Sequence, residues 1–496
     1  MEPLDLSSIE PARGSVAGGT RVTLVGAGFH AGVAVDVGGV PCDGVTIESS
    51  HRLSCLTGPS GFVEAVMDVT VRNDGAEARI PAAFEYHCPW TTTTGRRSCG
   101  AAPPRELAQQ TIAAWLNEGS GFTADGAGPA SVDDRDFIIG ERSAWVETDG
   151  FGTPRMLRAS VAPTDLTGHL VKVWVKVGNV ASAAAIELWL GDAGLASAFR
   201  FRLQSSQGQQ WITDGDWVAF TVSWSSANYS TVGTPNRAAI REIGFRVVDD
   251  QTGVPVRLHA NGVALVPEPV QRFPAGVLSF TFDDNWAMMA GVGAQTLAQY
   301  GYPATAYVIV DHVDKQDRTS LGELHQLQES GWDVAAHAFT SVHHDARLTT
   351  LAADVVEDDF VDSRAWLMSN GFGGYDHCAY PGGEFDSATG NILPIAARYF
   401  TSCRTIYQRQ REAAPPSDPL KLRVLYVTSG VPLAAVTAAV DQARANYEWI
   451  ILVFHQLVDA PTDLTQWATT DFQQLVDHVA ASGIAVDTVT GVLSQD

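Results

Sequence analysis

The chain is poor in basic residues: it has 32 Lys and Arg against 56 Asp and Glu, a formal net charge of −24. This balance argues against a nucleic-acid partner, whose phosphates are bound through Lys and Arg. No apolar run approaches the roughly 20 residues that cross a bilayer, so we expect no membrane insertion. Residues 1–5 show no signal peptide. These absences predict a soluble protein that acts on a neutral or cationic partner.

Cysteine is also scarce, with six residues in 496 and no Cys-x-x-Cys zinc pattern. We expect three disulfides between sequence neighbours in an extracellular protein, with buried free thiols as the alternative. The pairs are Cys42 and Cys55, Cys88 and Cys99, and Cys378 and Cys403.

A chain of this length is too long for one core, and we expect a multidomain protein. Residues 1–87 contain short β segments between glycine-rich turns, which predict a small β-sandwich. The stretch at 9–29, with Ala-Phe-Glu-Tyr at 83–86, resembles the immunoglobulin-like IPT/TIG family. No function follows from that resemblance, because such modules serve as spacers, docking domains and binders.

The middle of the chain also has β character. Residues 88–106 are rich in Thr, Gly, Arg and Pro and are interpreted as a linker. Many alternating segments in 107–268 predict a second β-sandwich of the jelly-roll type, similar to carbohydrate-binding modules. Five tryptophans could stack on sugar rings, with packing in the core as the alternative. They are Trp174, Trp189, Trp211, Trp217 and Trp224.

Residues 269–496 alternate between apolar β segments and helical stretches, which predicts a parallel sheet or barrel. In such folds the chemistry lies at the carboxyl ends of the strands. The helical stretches are expected at 291–300, 321–330, 354–369, 434–445 and 470–481, and the strands at 277–282, 304–310, 333–336, 449–454 and 484–486.

Two adjacent carboxylates, Asp283 and Asp284, follow the first of these strands. Neighbouring strand residues point to opposite faces, so only a loop or a distorted strand end lets both serve one site. A solvated turn is the alternative. His337 and His455 follow two other strands. A carboxylate and two imidazoles form a ligand set suited to zinc, and a second carboxylate and a histidine can act as base and acid.

The same residues are similar to the polysaccharide deacetylases of carbohydrate esterase family 4, the NodB-homology family. The resemblance covers roughly residues 274–496 through four motifs in the family's order. It implies a distorted (β/α) barrel with fewer than eight strands. It also implies hydrolysis of N-acetyl, or alternatively O-acetyl, groups on a polysaccharide. The motifs are Thr-Phe-Asp-Asp at 281–284, Gly-Trp-Asp-Val-Ala-Ala-His at 331–337, Tyr-Pro-Gly-Gly at 380–383 and Leu-Val-Phe-His-Gln-Leu at 452–457.

Carried over by motif, the resemblance assigns roles to single residues. Asp283 is the base on a metal-activated water and His455 is the acid. Asp284 and His337 are ligands of a divalent metal, which we expect to be zinc. Tyr380, Pro381 and Gly382 contact substrate, with the Tyr380 backbone N–H as the expected donor to the oxyanion.

Two departures from the family pattern stand out. The family spaces its two metal histidines as His-x-x-x-His, but here the candidates after His337 are His343 and His344. Seven residues of straight helix separate Cα atoms by about 10 Å along the axis, so we expect a looped insertion. The downstream Arg-Leu at 347–348 favours His344, and His343 and a surface pair remain alternatives.

The second departure is Ala379, which stands where the family often has an arginine that orients the base. His377, Asp376 and Arg404 are the candidates to replace that arginine.

A different class of function also fits the domain order: a glycan-binding adhesion or virion structural protein with an inactive barrel. The combination is similar to tail-associated proteins of phages that infect actinobacteria. It implies an extracellular or virion location, with other tail proteins as partners beside the acetylated polysaccharide. A truncated secreted bacterial enzyme is the other interpretation of its origin.

Overall fold

The computed structural model falls into two compact units, residues 1–220 with 230–266 and residues 221–229 with 267–496. In the described part of the chain no helix is long and apolar enough to span a membrane. The predicted linker 88–106, with its cysteine pair, lies outside the described residues. Those described are 3–494 without 17, 19, 59, 61–64, 88–120, 126–127, 139–141, 206–210, 227, 270–271, 388 and 409–410.

The first unit begins with the predicted immunoglobulin-like sandwich. Its two sheets have the strand orders β1-β3-β7-β6 and β2-β9-β8-β4-β5. Alternation along β3 turns Val22 and Leu24 inward, and they pack with Val35, Val69 and Phe84. The strands are β1 (Asp5–Glu10), β2 (Arg13–Ser15), β3 (Arg21–Ala27), β4 (Ala34–Val37), β5 (Val40–Pro41), β6 (Asp43–Ser49), β7 (Arg52–Leu56), β8 (Ala65–Asn73) and β9 (Ala76–His87).

The disulfide predictions have different outcomes. Cys378 and Cys403 are bonded, with their Cα atoms 4.4 Å apart. Cys42 and Cys55 are buried free cysteines, so that predicted disulfide is wrong for this structure. The two thiols are in contact, since the hydrogen bond of Cys42 with Cys55 and then burial raise the pKa of the Cys42 thiol.

The rest of the first unit is β-rich, as expected, and contains two further sheets. Their orders are β11-β10-β14-β20-β16-β17-β19 and β12-β13-β21-β15-β18. Trp174, Trp211 and Trp224 are buried, whereas Trp189 and Trp217 are half-buried. The strands are β10 (Thr123–Ala124), β11 (Gly128–Pro129), β12 (Ser131–Asp133), β13 (Ser143–Glu147), β14 (Arg155–Thr164), β15 (His169–Gly178), β16 (Ala183–Gly191), β17 (Ala198–Ser205), β18 (Trp217–Val222), β19 (Tyr229–Val232), β20 (Ile240–Asp249) and β21 (Arg257–Pro267).

The second unit is built on a parallel sheet with the order β26-β25-β24-β23-β22-β28-β27, and β31 pairs with β22. The sheet is a curled half-barrel. A β-bridge from Arg404, at the end of the edge strand β26, to Leu422 links this edge to the residues before β27. A parallel pair, β29 and β30, lies outside it. The strands are β22 (Val277–Asp283), β23 (Thr305–Ile309), β24 (Asp333–Ala338), β25 (Gly374–Ala379), β26 (Ser402–Arg404), β27 (Leu425–Tyr426), β28 (Trp449–Phe454), β29 (Gln456–Val458), β30 (Gln466–Ala468) and β31 (Ala485–Val486).

Helices connect these strands, and local signals in the sequence set their ends. Ser320 and Glu323 form a capping box at the start of α2, and Gly483 ends α7 with φ 72°. The helices are α1 (Ala294–Ala298), α2 (Leu321–Glu329), α3 (Ser341–Ala346), α4 (Ala353–Ser369), α5 (Leu393–Tyr399), α6 (Leu433–Ala445), α7 (Thr469–Ser482) and α8 (Val489–Leu493).

Glu448 is a fully buried carboxyl group directly before β28. Its Oε1 accepts hydrogen bonds from Ser223 and, at 3.1 Å, from Asn228. Its Oε2 has no hydrogen-bond partner among the described residues. Burial raises the pKa of Glu448 from 4.5 to about 7, although its hydrogen bond to Ser223 acts in the opposite direction.

We expect Glu448 to make the second unit less stable as pH rises. Its folded-state pKa exceeds the unfolded value, so its contribution is complete below about pH 4.5 and is lost through about pH 7. Glu448→Gln should therefore raise the free energy of unfolding at pH 8 by up to about 3 kcal/mol, which raises the urea midpoint. At pH 5 both quantities should be nearly unchanged. Glu329→Gln, an exposed control, should shift neither midpoint. Equal shifts of the Glu448→Gln midpoint at both pH values would contradict this expectation.

Candidate active site

The Asp283–Asp284 pair lies at a distorted strand end. Asp283 is the last residue of β22 and is buried, whereas Asp284 and Asn285 have φ of 67° and 42°. The Asn285 side chain fixes this left-handed turn, because its Oδ1 accepts a hydrogen bond from the Ile309 N–H at 3.1 Å. Both carboxylates consequently face His337, whose Nε2 lies 3.9 Å from Asp283 Oδ2 and 3.5 Å from Asp284 Oδ1.

Asp284, His337 and His344 form a cluster that fits a divalent metal ion. One ligand atom from each residue lies within 4.8 Å of the other two. Asp284 Oδ1 is buried and has no hydrogen-bond partner among the described residues. His337 Nδ1 is hydrogen-bonded to the Ala379 carbonyl at 2.8 Å, which directs Nε2 into the cluster. Burial lowers the pKa of His337 to about 4, so the imidazole is neutral, as a metal ligand must be.

The structure separates the two histidine candidates. His344 Nε2 lies 3.4 Å from Asp284 Oδ1. His343 turns the other way, and its Nδ1 lies 2.7 Å from Asp359 Oδ2. The expected looped insertion is instead a short helix: Thr340 caps α3 by accepting a hydrogen bond from the His343 N–H. His337 is thus on a strand and His344 on a helix, which is why the long spacing still brings them together.

Arg404 holds the Asp283 carboxylate. Its Nη2 donates to both carboxylate oxygens at 2.5 Å, and its side chain is fully buried. Arg404 pairs in register with Ala379, so the arginine comes from the strand beside the family position. The other two candidates point elsewhere. His377 is hydrogen-bonded to Ser402, and Asp376 pairs with Arg364.

The charges around Asp283 keep it ionised. Burial raises the pKa of this carboxyl group, but the positive charge of Arg404 and its hydrogen bonds to the carboxylate act in the opposite direction, and the pKa lies below its ordinary value. An ionised carboxylate fixed by a buried arginine can accept a proton without first losing one.

We expect Arg404→Gln to shift the pH dependence of activity. Without the guanidinium, burial dominates and the pKa of Asp283 rises, so the acid limb of kcat/KM should move to higher pH by about one unit or more. Arg404→Lys keeps the charge and should give a smaller shift. If Arg404→Gln lowers the rate equally at all pH values, Arg404 has only a structural role.

His455 lies directly after β28, and its Nε2 is 3.7 Å from Asp283 Oδ2. Its Nδ1 is buried without a hydrogen-bond partner among the described residues. The Tyr426 ring packs against the imidazole edge to face, with centroids 5.3 Å apart. Packing against Tyr426, and no hydrogen bond at Nδ1 from the described residues, therefore orients the His455 ring.

The third motif requires one correction. The Tyr380 N–H, our expected donor to the oxyanion, already donates to the Arg404 carbonyl at 3.0 Å. Pro381 has no N–H, and the Gly383 N–H donates to the Tyr380 carbonyl at 2.8 Å. Gly382, with φ 63°, is the residue of this motif whose N–H has no acceptor among the described residues.

Trp286 and Arg318 form part of the site that the sequence motifs did not indicate. The Arg318 guanidinium lies over the Trp286 ring, 3.4 Å from its centroid. Its Nη1 also donates to the Asp284 carbonyl at 3.0 Å. In the sequence, only the position of Trp286, two residues after Asp284, indicates that it belongs to the site.

These side chains define a candidate metal-dependent hydrolase centre at the carboxyl edge of a parallel sheet. Residues 271–396 match the polysaccharide deacetylase family, and residues 4–86 match the IPT/TIG domain. The chain thus carries a polysaccharide deacetylase domain with an N-terminal IPT/TIG domain.

Similar proteins cover only parts of the chain. Fibrocystin-L of Mus musculus is 36% identical over 107 residues, which are 20% of this chain and 2% of that protein. Plexin-2 of Caenorhabditis briggsae is 35% identical over 85 residues, 17% of this chain and 5% of that protein. The chain therefore spans a small share of these relatives. The Streptococcus pyogenes deacetylase PplD in complex with acetate is 24% identical, with 30% of this chain and 64% of that chain covered and a TM-score of 0.26.

Proposed function

We propose that the C-terminal domain hydrolyses acetyl groups, primarily N-acetyl groups, on a cell-envelope or capsular polysaccharide, and that its metal is zinc. The observation that carries this proposal is the shared position of Asp283. One of its oxygens, Oδ2, lies 3.9 Å from His337 of the metal cluster and 3.7 Å from His455. A base, a metal site and an acid thus meet at one point, as amide hydrolysis requires.

Asp284, His337 and His344 would hold the ion, which supplies Lewis-acid polarisation of the acetyl carbonyl and activation of water when bound. Asp283 accepts the proton of the attacking water at Oδ2, while Arg404 keeps both carboxylate oxygens in place. The Gly382 N–H donates to the developing oxyanion, in place of the Tyr380 N–H. His455 Nε2 then donates a proton to the leaving amine as the C–N bond breaks.

Acetate release from N-acetylated chito-oligosaccharides and O-acetylated xylo-oligosaccharides tests this proposal. We expect release from the N-acetylated substrate by the zinc-loaded protein. Release from the O-acetylated substrate alone would mean that the protein is still a deacetylase but cleaves an ester bond instead of an amide bond. The proposal fails if neither substrate, nor any other acetylated glycan, yields acetate while metal is bound.

A glycan-binding role is the second candidate, and Trp189 is the observation that favours it. This half-buried side chain lies on β16, with the Arg200 guanidinium 5.8 Å from its ring centroid. We propose that the middle β region is a jelly-roll carbohydrate-binding module and that the protein acts outside the cell. A metal-loaded protein that binds glycans without releasing acetate would favour this role alone. Detection of the chain in purified virions tests the phage-tail association.

A further inference from the structure

Arg347 has a strained backbone directly beside the metal cluster. It follows His344 by three residues and ends α3 with φ 68° and ψ 123°. Non-glycine residues rarely adopt positive φ, and such strain concentrates at functional sites. The Arg347 N–H donates to the His344 carbonyl at 3.2 Å, so the strained residue is joined to a candidate metal ligand.

The Arg347 side chain reaches the third motif. A Cβ atom on Gly382 would lie 2.4 Å from Arg347 Nη1 and 2.5 Å from Cζ, so the guanidinium fills the space that a side chain at 382 would need. Burial raises the pKa of Tyr426 to about 12, and the Arg347 charge acts weakly in the opposite direction. Arg347 is therefore within electrostatic reach of the tyrosine that packs on His455.

Among the residues that the structure describes, this guanidinium has no acidic partner. Within the described residues, no carboxylate oxygen lies within 4.0 Å of it. Other arginines of the same unit are paired, for example Arg364 with Asp376 at 2.7 Å and Arg398 with Glu357 at 2.8 Å. Arg318, also near the cluster, stacks on Trp286 and donates a hydrogen bond to the Asp284 carbonyl. A half-buried, unpaired cation beside a catalytic centre is unusual in a chain with 56 acidic residues.

We propose that Arg347 binds a carboxylate group of the polysaccharide next to the acetylated sugar, so that the substrate is an acidic acetylated glycan. The inference rests on the proposed function and adds the substrate class to it. A guanidinium offers paired N–H donors that match a carboxylate, whether this belongs to a uronic acid or to a lactyl ether on an amino sugar. The positive-φ backbone of Arg347 places this side chain beside Gly382, where it faces the substrate.

The test compares kcat/KM on three N-acetylated oligosaccharides: a neutral chito-oligosaccharide, one alternating with uronic acid, and one bearing lactyl ethers. We expect the wild type to prefer an acidic substrate, and added salt to weaken that preference. Arg347→Gly removes the guanidinium and relieves the backbone strain, so the variant should fold at least as well as wild type. Its kcat/KM should fall about tenfold on the preferred acidic substrate and less than twofold on the neutral one. The acidic substrate on which the variant's kcat/KM falls further identifies the source of the carboxylate.

Arg398→Ala, which removes the same charge from α5, is the matched control and should keep the acid preference. Equal losses on neutral and acidic substrates in Arg347→Gly, or a wild type without acid preference, would overturn the inference and leave the proposed function intact. If the wild type releases acetate from no substrate, the proposed function fails. Calorimetric binding of the acidic oligosaccharides to wild type and Arg347→Gly then decides the inference on its own.

Discussion

Asp283→Asn is expected to lower kcat by about 10³-fold while the protein still binds its metal. The amide is nearly the same size as the carboxylate but cannot accept the proton of the attacking water. The cluster of Asp284, His337 and His344 is unchanged by this substitution, so the bound metal measured after dialysis should equal that of wild type. The measurement is acetate release in parallel with metal content.

Asp317→Asn is the matched control for this substitution. Asp317 is exposed and has φ 61°, a conformation that asparagine tolerates well. This variant should keep wild-type activity. Because Asp283→Asn leaves Arg404 buried without a charged partner, the melting midpoint should fall, and rates are compared below that midpoint. An Asp283→Asn protein that is folded, metal-loaded and as active as wild type would exclude Asp283 as the base.

His344→Ala is expected to lower metal affinity by at least about 100-fold, whereas His343→Ala should leave it within a few-fold of wild type. The two residues are neighbours on α3, but His344 lies 3.4 Å from Asp284 and His343 lies 2.7 Å from Asp359. Removing one imidazole of a three-ligand site leaves two ligands for the ion. Competition with a chromogenic chelator measures both affinities.

The His343→Ala variant also has its own expected defect. It leaves the buried Asp359 carboxylate without the imidazole, although the Phe339 N–H still donates to it at 3.0 Å. We therefore expect a lower melting midpoint with unchanged metal content. Loss of metal in His343→Ala and full metal in His344→Ala would reverse the assignment.

Secondary structure is predicted best from the sequence where side chains are buried on both faces of a strand. The apolar runs in β22 and β28 were predicted because parallel strands of this kind are almost continuously hydrophobic. α3 was missed because it has six residues and Val342 is 73% exposed, so it shows no apolar period. β25 and β26 were missed because they bury His377 and Arg404, which bond to Ser402 and Asp283, residues distant in sequence.

The same distinction, between local patterns and contacts distant in sequence, applies to the residues of the site. Strand ends and motif order predicted Asp283, Asp284, His337 and His455 as neighbours, since strand direction alone determines which edge they share. The role of Arg404 depends on the register of β25 against β26, which no local pattern reveals. The same register gives the Tyr380 N–H an acceptor in the Arg404 carbonyl, which is why we propose the Gly382 N–H as the oxyanion donor.

Metal titration of the chelated protein during acetate release is the most direct test of the proposed centre. Protein stripped of metal should release no acetate from an N-acetylated oligosaccharide. Activity should then rise in proportion to added zinc and level off at about one ion per chain, as expected for one cluster of three ligands. Full acetate release by the stripped protein would contradict a metal-dependent centre at Asp284, His337 and His344.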